Sequence, residues 1–261
     1  MKTIRIDGGG ISLNDLQLFM RGDAGVALAP TALARIKRVR RYVERKLSGS
    51  EPFYGINTGF GMLANQRIPR KDLERLQENL ILSHAVGVGD PFSPTIARLI
   101  MLLRANVLAK GYSGIRAETI KLLIDMINRD VVPLIPEQGS VGASGDLAPL
   151  AHLALAMLGR GEVFYRGRLQ PASRALRAAK LSPVKLAAKE GIALINGTQA
   201  MAAMGAVAII RLENLLRAAD VVGALSIEGD RASIRPFDSR IHKLRPHPGQ
   251  ISTAANVRKM L

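Results

Sequence analysis

The sequence lacks cysteine and tryptophan, and aromatic residues make up only 4% of its 261 positions. Without cysteine, the chain can form neither disulfides nor thiolate metal sites, which fits a reducing compartment. With so few aromatic rings, aliphatic side chains and methionine must fill the core. The apolar content of 48% and the charged content of 22% are typical of a soluble globular protein, with length enough for one large or two modest domains.

Long apolar segments are also scarce. The N-terminus, "MKTIRIDGGG", has no apolar stretch of the kind that marks a secretory signal. The longest apolar run, residues 200–210, is too short to cross a bilayer, and Arg211, Glu213 and Arg217 follow it. This run predicts a buried helix, and no membrane partner is expected.

Acidic residues are outnumbered, 21 against 37 Lys and Arg, for a net charge of +16. The densest basic stretch, "RIKRVRRYVERK" at 35–46, carries Ile36, Val39, Tyr42 and Val43 at helical spacing. That spacing predicts a helix with a buried apolar face and a solvated charged face, which is favoured over a nucleic-acid surface. A second hypothesis is that an acidic partner chain or segment neutralises this one.

Capping residues, prolines and glycines punctuate the chain in a way that predicts a mainly α fold. Ser12 and Ser93 are the predicted N-caps of two helices. A strand is predicted at 3–6 and a hairpin at 162–171, with Arg166-Gly167 at its turn. The predicted helices span 12–20, 30–49, 93–111, 116–132 and 197–228.

Four glycine-rich loops separate these elements, at 53–63, 83–91, 137–146 and 190–199. Each combines glycines with polar or aromatic groups at a helix boundary, and loops on a rigid scaffold commonly carry function. The alternative is that the glycines only cap helices and allow close packing.

The third loop, "GSVGASGD", fits the familiar serine and phosphate motifs poorly. A nucleophile elbow needs glycine where Asp146 stands and a strand before the loop, and "PLIPEQGS" predicts a poor strand. A phosphate cradle needs a following lysine or a strand–turn–helix unit, and neither is predicted. The four histidines, at 84, 152, 242 and 247, lack metal-ligand spacing, so no metal is expected.

A fourth possibility uses the backbone. Ala143 and Gly145 flank Ser144 with the smallest side chains available. If the Gly145 nitrogen lay against the Ala143 carbonyl, ring closure and dehydration of Ser144 would leave an exocyclic methylene, which is an electrophile. Asp146 is then predicted to cap the following helix and to assist proton transfer.

"GSVGASGDLAPLAH" at 139–152 resembles the prosthetic-group motif of the aromatic amino acid ammonia-lyases. "FYGINTGFG", "LSHAVGVG", "GYSGIR", "KEGIALINGTQ" and "PFDSRIHKLRPHPGQ" follow the same family in the same order. The similarity is greatest to the histidine ammonia-lyase branch and covers the N-terminal half of such chains. It implies a truncated ammonia-lyase fold: an α-helical N-terminal domain, a short β-hairpin and the start of a long-helix bundle.

The resemblance implies that Ala143, Ser144 and Gly145 form 4-methylidene-imidazol-5-one (MIO) autocatalytically, with no metal and no dissociable cofactor. It implies an acid–base and substrate-binding role for Tyr54, for which packing at a glycine turn is the alternative. It implies that Asn196 holds the prosthetic-group oxygen or the substrate, since an amide can donate to developing negative charge. The alternative for Asn196 is an N-cap of the helix predicted to begin at 197.

His84, in the pair Ser83-His84, matches histidine-specific members of the family. The resemblance therefore implies L-histidine as substrate and urocanate and ammonia as products, a step of histidine catabolism. A lyase or aminomutase acting on tyrosine or phenylalanine is the alternative. His152 follows the loop at helical spacing among apolar neighbours and is predicted to be a satisfied core histidine.

The expected domains are 1–196, carrying the prosthetic-group loop, and 197–261, the incomplete first part of the bundle. The family's remaining half supplies further site residues, so activity is expected to require that half. Alternatively the chain is an inactive truncated homologue or an assembly subunit. The resemblance implies a cytoplasmic homotetramer or another homo-oligomer, or pairing with a complementing C-terminal half. Gly229, Asp230 and Arg231 stand where the family's packed helix would continue.

Overall fold

The computed structural model describes residues 2–49 and 51–261 and is mainly helical, as expected. The chain divides into two compact units, one up to Ala206 and the other Val207–Leu261. This division falls inside a long helix, ten residues beyond the predicted boundary between 196 and 197. The predicted domains therefore remain a prediction about the family's organisation.

The first unit is built from short helices connected by loops and small sheets. In chain order its helices are α1 (Leu13–Met20), α2 (Pro30–Leu47), α3 (Leu73–His84), α4 (Pro94–Ala109), α5 (Ala117–Asn128), α6 (Leu147–Met157), α7 (Ala172–Ala178) and α8 (Glu190–Ile195). Its strands are β1 (Lys2–Ile6), β2 (Ala24–Leu28), β3 (Val88–Pro91), β4 (Val132–Pro133), β5 (Pro136–Gln138), β6 (Glu162–Tyr165) and β7 (Arg168–Pro171).

The helix starts follow their predicted caps. Ser12 accepts a hydrogen bond from the Asp15 nitrogen at 3.1 Å, and Ser93 accepts one from the Ile96 nitrogen at 3.4 Å. Helix α4 is buried on almost every side, and α5 packs against it. These two helices therefore form the centre of the first unit, with α6 contributing a second, almost wholly apolar buried helix.

The strands in the described residues form three small sheets. β1 pairs in parallel with β2, β3 pairs antiparallel with β5, and β4, β6 and β7 form an antiparallel sheet. The predicted hairpin is confirmed, with Arg166 and Gly167 at φ +53° and +71° in its turn. Strand β5 corrects the sequence prediction, because a short strand does precede the 139–146 loop and a helix follows it.

Helix α2 buries a different face from the one predicted. Ile36 and Val43 are buried as expected, but Tyr42 is half exposed and Arg40 is buried in its place. Residues 36, 40 and 43 share one helical stripe, whereas 42 lies outside it. Arg40 is accommodated because its guanidinium donates to the carbonyls of Gly114 and Ala188 at 3.1 and 2.9 Å.

The long helix predicted at 197–228 is confirmed as α9 (Gln199–Gly229), which passes from the first unit into the second. The second unit adds α10 (Ser239–Leu244) and α11 (Pro248–Met260). Helix α9 ends at Gly229 in a turn, where Arg231 has φ +50° and the Asp230 nitrogen donates to the Ser226 carbonyl. The local departure noted in the sequence therefore marks a helix end.

The run 200–210 is helical, as predicted, and one face of it is buried. Ala200 and Ala203 are buried, but Met201, Met204 and Ile209 are about 40–50% exposed. By length and composition alone, the stretch 190–229 could cross a membrane, with a mean hydropathy of 1.5 in its most apolar window. That window is 44% buried within the protein, and core helices of globular proteins can pass the same test.

Candidate active site

The 139–146 loop lies between β5 and α6 and forms one wall of a cavity of about 190 Å³. The end of α3 and the residues after it form the other wall. The cavity is lined by Ser83, His84, Val86, Gly139, Val141, Ala143, Ser144, Gly145, Leu147 and Ala148. The fold thus brings four of the six predicted site residues, Ala143, Ser144, Gly145 and His84, around one small space.

The far end of the loop is clamped against the segment that joins α8 to α9. The Asp146 nitrogen donates to the Gly197 carbonyl at 2.6 Å. Gly145 has φ +120°, and a Cβ there would lie 2.7 Å from the Gly197 oxygen. Only glycine fits position 145, because both its backbone conformation and the space around it exclude a side chain.

Asp146 does not cap α6 with its side chain, contrary to the prediction. It occupies the N-cap position of α6, yet its fully buried carboxylate turns elsewhere. One oxygen accepts from Ser140 Oγ at 2.6 Å, and the other accepts from the Met201 nitrogen at 3.0 Å. The negative charge therefore lies at the first turn of α9, where the helix dipole favours an anion.

His84 ends α3 with its ring partly buried against its own helix. Its Nδ1 lies 2.9 Å from the Leu80 carbonyl and 3.0 Å from Ser83 Oγ. A carbonyl can only accept, so we assign the ring proton to Nδ1. In that tautomer Nε2 is left as a hydrogen-bond acceptor on a residue that lines the cavity.

Tyr54 and Asn196 are not among the described residues that line this cavity. Tyr54 is 61% exposed, and its ring packs edge-to-face on that of Phe60 with 6.1 Å between the ring centroids. Asn196 is exposed and occupies the C-cap position of α8. The prediction that Asn196 caps a helix starting at 197 is wrong, because α9 begins at Gln199. The functional roles predicted for both residues remain predictions.

The sequence did not predict that a buried guanidinium, that of Arg104, would hold the segments on either side of Asn196 in place. Arg104, buried in α4, donates to Gln199 Oε1 at 2.7 Å and to the Ala193 carbonyl. Burial lowers the pKa of this guanidinium to about 10. A Cβ at Gly197 would collide with the guanidinium, so this glycine is also fixed by packing. The position of Arg104 within the apolar sequence 99–109 of α4 was the signal for such a buried contact.

His152, in α6, is hydrogen-bonded as predicted, though its ring is only partly buried. Its Nε2 accepts from the Gly87 nitrogen at 3.1 Å, joining α6 to the segment between α3 and β3. Burial lowers the pKa of this imidazole, which favours the neutral ring that this hydrogen bond needs. His152 therefore helps to hold the wall of the cavity that carries Val86.

Comparison with known proteins agrees with the sequence motifs. The family model described as "Aromatic amino acid lyase" matches residues 11–261. Histidine ammonia-lyase of Myxococcus xanthus (strain DK1622) is 56% identical over 258 residues, covering 99% of this chain and 51% of that protein.

Solved structures agree as well. The crystal structure of histidine ammonia-lyase from Trypanosoma cruzi superposes with a TM-score of 0.93 at 42% identity, over 99% of this chain and 50% of that one. Pantoea agglomerans phenylalanine aminomutase superposes with a TM-score of 0.92 at 36% identity, over 99% and 50%. The chain spans about half the length of the curated relatives it matches. It belongs to the aromatic amino acid lyase family.

Proposed function

We propose that this chain provides the prosthetic-group half of a histidine ammonia-lyase, which converts L-histidine to urocanate and ammonia without oxidation. The observation that carries the proposal is the cavity of about 190 Å³ that His84 shares with Ala143, Ser144 and Gly145. The similarity to histidine ammonia-lyases over the whole chain supports it.

The residues around the loop fit the formation of MIO from positions 143–145. Ala143 and Gly145 leave the backbone on either side of Ser144 unhindered, and Gly145 lies where no side chain would fit. The hydrogen bond from the Asp146 nitrogen to Gly197 fixes the end of the loop, and the Asp146 carboxylate ties the loop to α9. A rigid frame of this kind favours a reaction between neighbouring backbone groups.

Once formed, MIO would supply an electrophilic exocyclic carbon for the substrate's amino group. His84 would orient the substrate, because its Nε2 can accept a hydrogen bond from an imidazole N–H, whereas a phenyl ring offers no such donor. Val86, Val141 and Leu147 would give the cavity an apolar lining. Asn196 would donate to developing negative charge from its amide, and Tyr54 would move the proton through its phenol.

We further propose that activity needs the portion of the family fold that this chain does not contain, supplied by a complementing half, within a cytoplasmic homo-oligomer such as a tetramer. The exposed apolar side chains of α9 support an interface of this kind. An inactive truncated homologue or assembly subunit is the alternative. An acidic complementing half would also balance the charge of +16.

The structural similarity to Pantoea agglomerans phenylalanine aminomutase favours a second candidate, an aminomutase or lyase acting on phenylalanine or tyrosine. Such an enzyme uses a different substrate ring, so product analysis separates the two candidates. The His84 Nε2 acceptor favours histidine.

The first test is the intact mass of the 261-residue chain, together with that of Ser144→Ala. Ring formation removes two waters from wild type and none from the variant.

The second test is co-expression with the part of the Myxococcus xanthus enzyme that lies beyond the matched region, assayed by urocanate absorbance. We expect urocanate from L-histidine and no cinnamate from L-phenylalanine. An unmodified mass in the co-expressed complex, or cinnamate in place of urocanate, would contradict the proposal.

A further inference from the structure

A groove of about 1040 Å³ runs along α2 in the first unit, away from the small cavity. It shares no lining residue with the cavity that holds Ser144 and His84. Helix α2 forms one side, and the segments around residues 70–74 and 185–188 form the others. Seven cationic side chains line the groove, against two carboxylates, Glu44 and Glu74.

Two of these cations are used to build the walls. Arg40 donates to two backbone carbonyls and pairs with Glu44 at 3.0 Å. Arg116 donates to the buried Glu190 carboxylate and to the Lys185 carbonyl. These bonds fix α2 and the 185–190 segment in place, so the groove has a defined shape.

The other five cations have exposed side chains, and none takes part in an ion pair within the described part of the chain. They are Arg38, Arg41, Arg45, Arg70 and Lys185. Positions 38, 41 and 45 follow the i, i+3, i+7 spacing of one helix face, and α2 presents them to the groove. The other two come from distant parts of the sequence.

An ordinary solvated helix face explains charges that spread over one element. It does not explain why cations from three separate segments converge on one concave surface, where like charges repel each other. A bound anion would relieve this repulsion. The proposed lyase function assigns no role to the basic stretch at 35–46. A ligand bound in the groove would explain why its arginines face the groove.

We propose that the groove binds a compact polyanion carrying two or more phosphate groups. Arginine guanidinium groups suit phosphate because their planar forks can donate two parallel hydrogen bonds to its oxygens. The volume lies near the upper end of the range of small-molecule sites. The described lining contains no aromatic side chain on which a base could stack, so a small polyanion is favoured over single-stranded nucleic acid.

The test is calorimetric titration of the full 261-residue chain with inorganic triphosphate at fixed ionic strength. We expect saturable binding at one site per chain. Arg38→Gln/Arg41→Gln should weaken it by about tenfold or more, since it removes two charge-assisted donors. Arg174→Gln/Arg177→Gln is the matched control, because these exposed arginines have the same i, i+3 spacing on α7 and lie outside the groove.

Arg70→Gln provides a second variant on a different wall, should the double change on α2 disturb the fold. Titration with orthophosphate, citrate and a short oligothymidylate identifies the ligand class. Absence of saturable triphosphate binding would overturn the proposal. Equal weakening in the groove and control variants would also overturn it, as would tighter binding of the oligothymidylate per phosphate.

Discussion

At the scale of a single residue, Asp146 makes three hydrogen bonds that position the 139–146 loop. Its backbone nitrogen closes the loop onto Gly197, and its carboxylate holds Ser140 on one side and the first turn of α9 on the other. Ser140 belongs to the same loop as Ser144, whereas Gly197 and Met201 belong to the segment around the start of α9. The same residue that ends the loop therefore also fixes its position relative to α9.

Asp146→Ala should destabilise the chain by about 1–3 kcal/mol, because it removes a fully buried carboxylate and leaves the Met201 N–H and the Ser140 hydroxyl without their acceptor. The free energy of unfolding, measured in urea by circular dichroism, checks this. Asp90→Ala is the control, since Asp90 is exposed. If both variants lose the same small amount, the buried carboxylate does not carry the role assigned to it.

At the scale of elements, His152 joins α6 to the segment before β3 through the Gly87 nitrogen. Burial lowers the pKa of His152 in the folded chain below the unfolded value of about 6.5. Between these two values the unfolded chain binds more protons, so this contribution to stability is lost as the pH falls below about 6.5. We expect the free energy of unfolding to decrease in that range.

His152→Gln should flatten that pH dependence, because the glutamine oxygen can accept from Gly87 and does not titrate over this range. Urea unfolding at several pH values between 7.5 and 5 measures the slope. His247→Gln serves as the comparison, since that exposed histidine immediately precedes α11. If His152→Gln keeps the same slope of unfolding free energy against pH as wild type, His152 is not the group that causes the pH dependence.

The same elements show how far sequence alone reaches. Helices could be predicted because their caps are local, as at Ser12 and Ser93. Strand β5 could not, because its pairing with β3 depends on residues about 50 positions away. The cluster of His84 with 143–145 was implied only by family resemblance. The Asp146 and Arg104 contacts were missed, since each joins segments that are far apart in sequence.

At the scale of the whole molecule, α9 carries several exposed apolar side chains. Within the second unit, Leu212, Leu215, Leu216 and Leu225 are each more than half exposed. Apolar patches of this kind commonly mark interfaces. The chain spans about half the length of the relatives it matches, so this face is where we place the contact with the other half proposed above.

We therefore expect the isolated chain to self-associate, and expect association with a complementing half to replace that self-association. Sedimentation velocity should show species larger than one chain. Leu212→Lys/Leu216→Lys should move the population toward single chains, because association would then bury two charges at the contact. Leu169→Lys, on β7, is the control for an added charge on an exposed leucine. If association falls equally in both variants, net charge drives the effect and not α9. If the α9 variant still pairs fully with the complementing half, this face is not where the two halves meet.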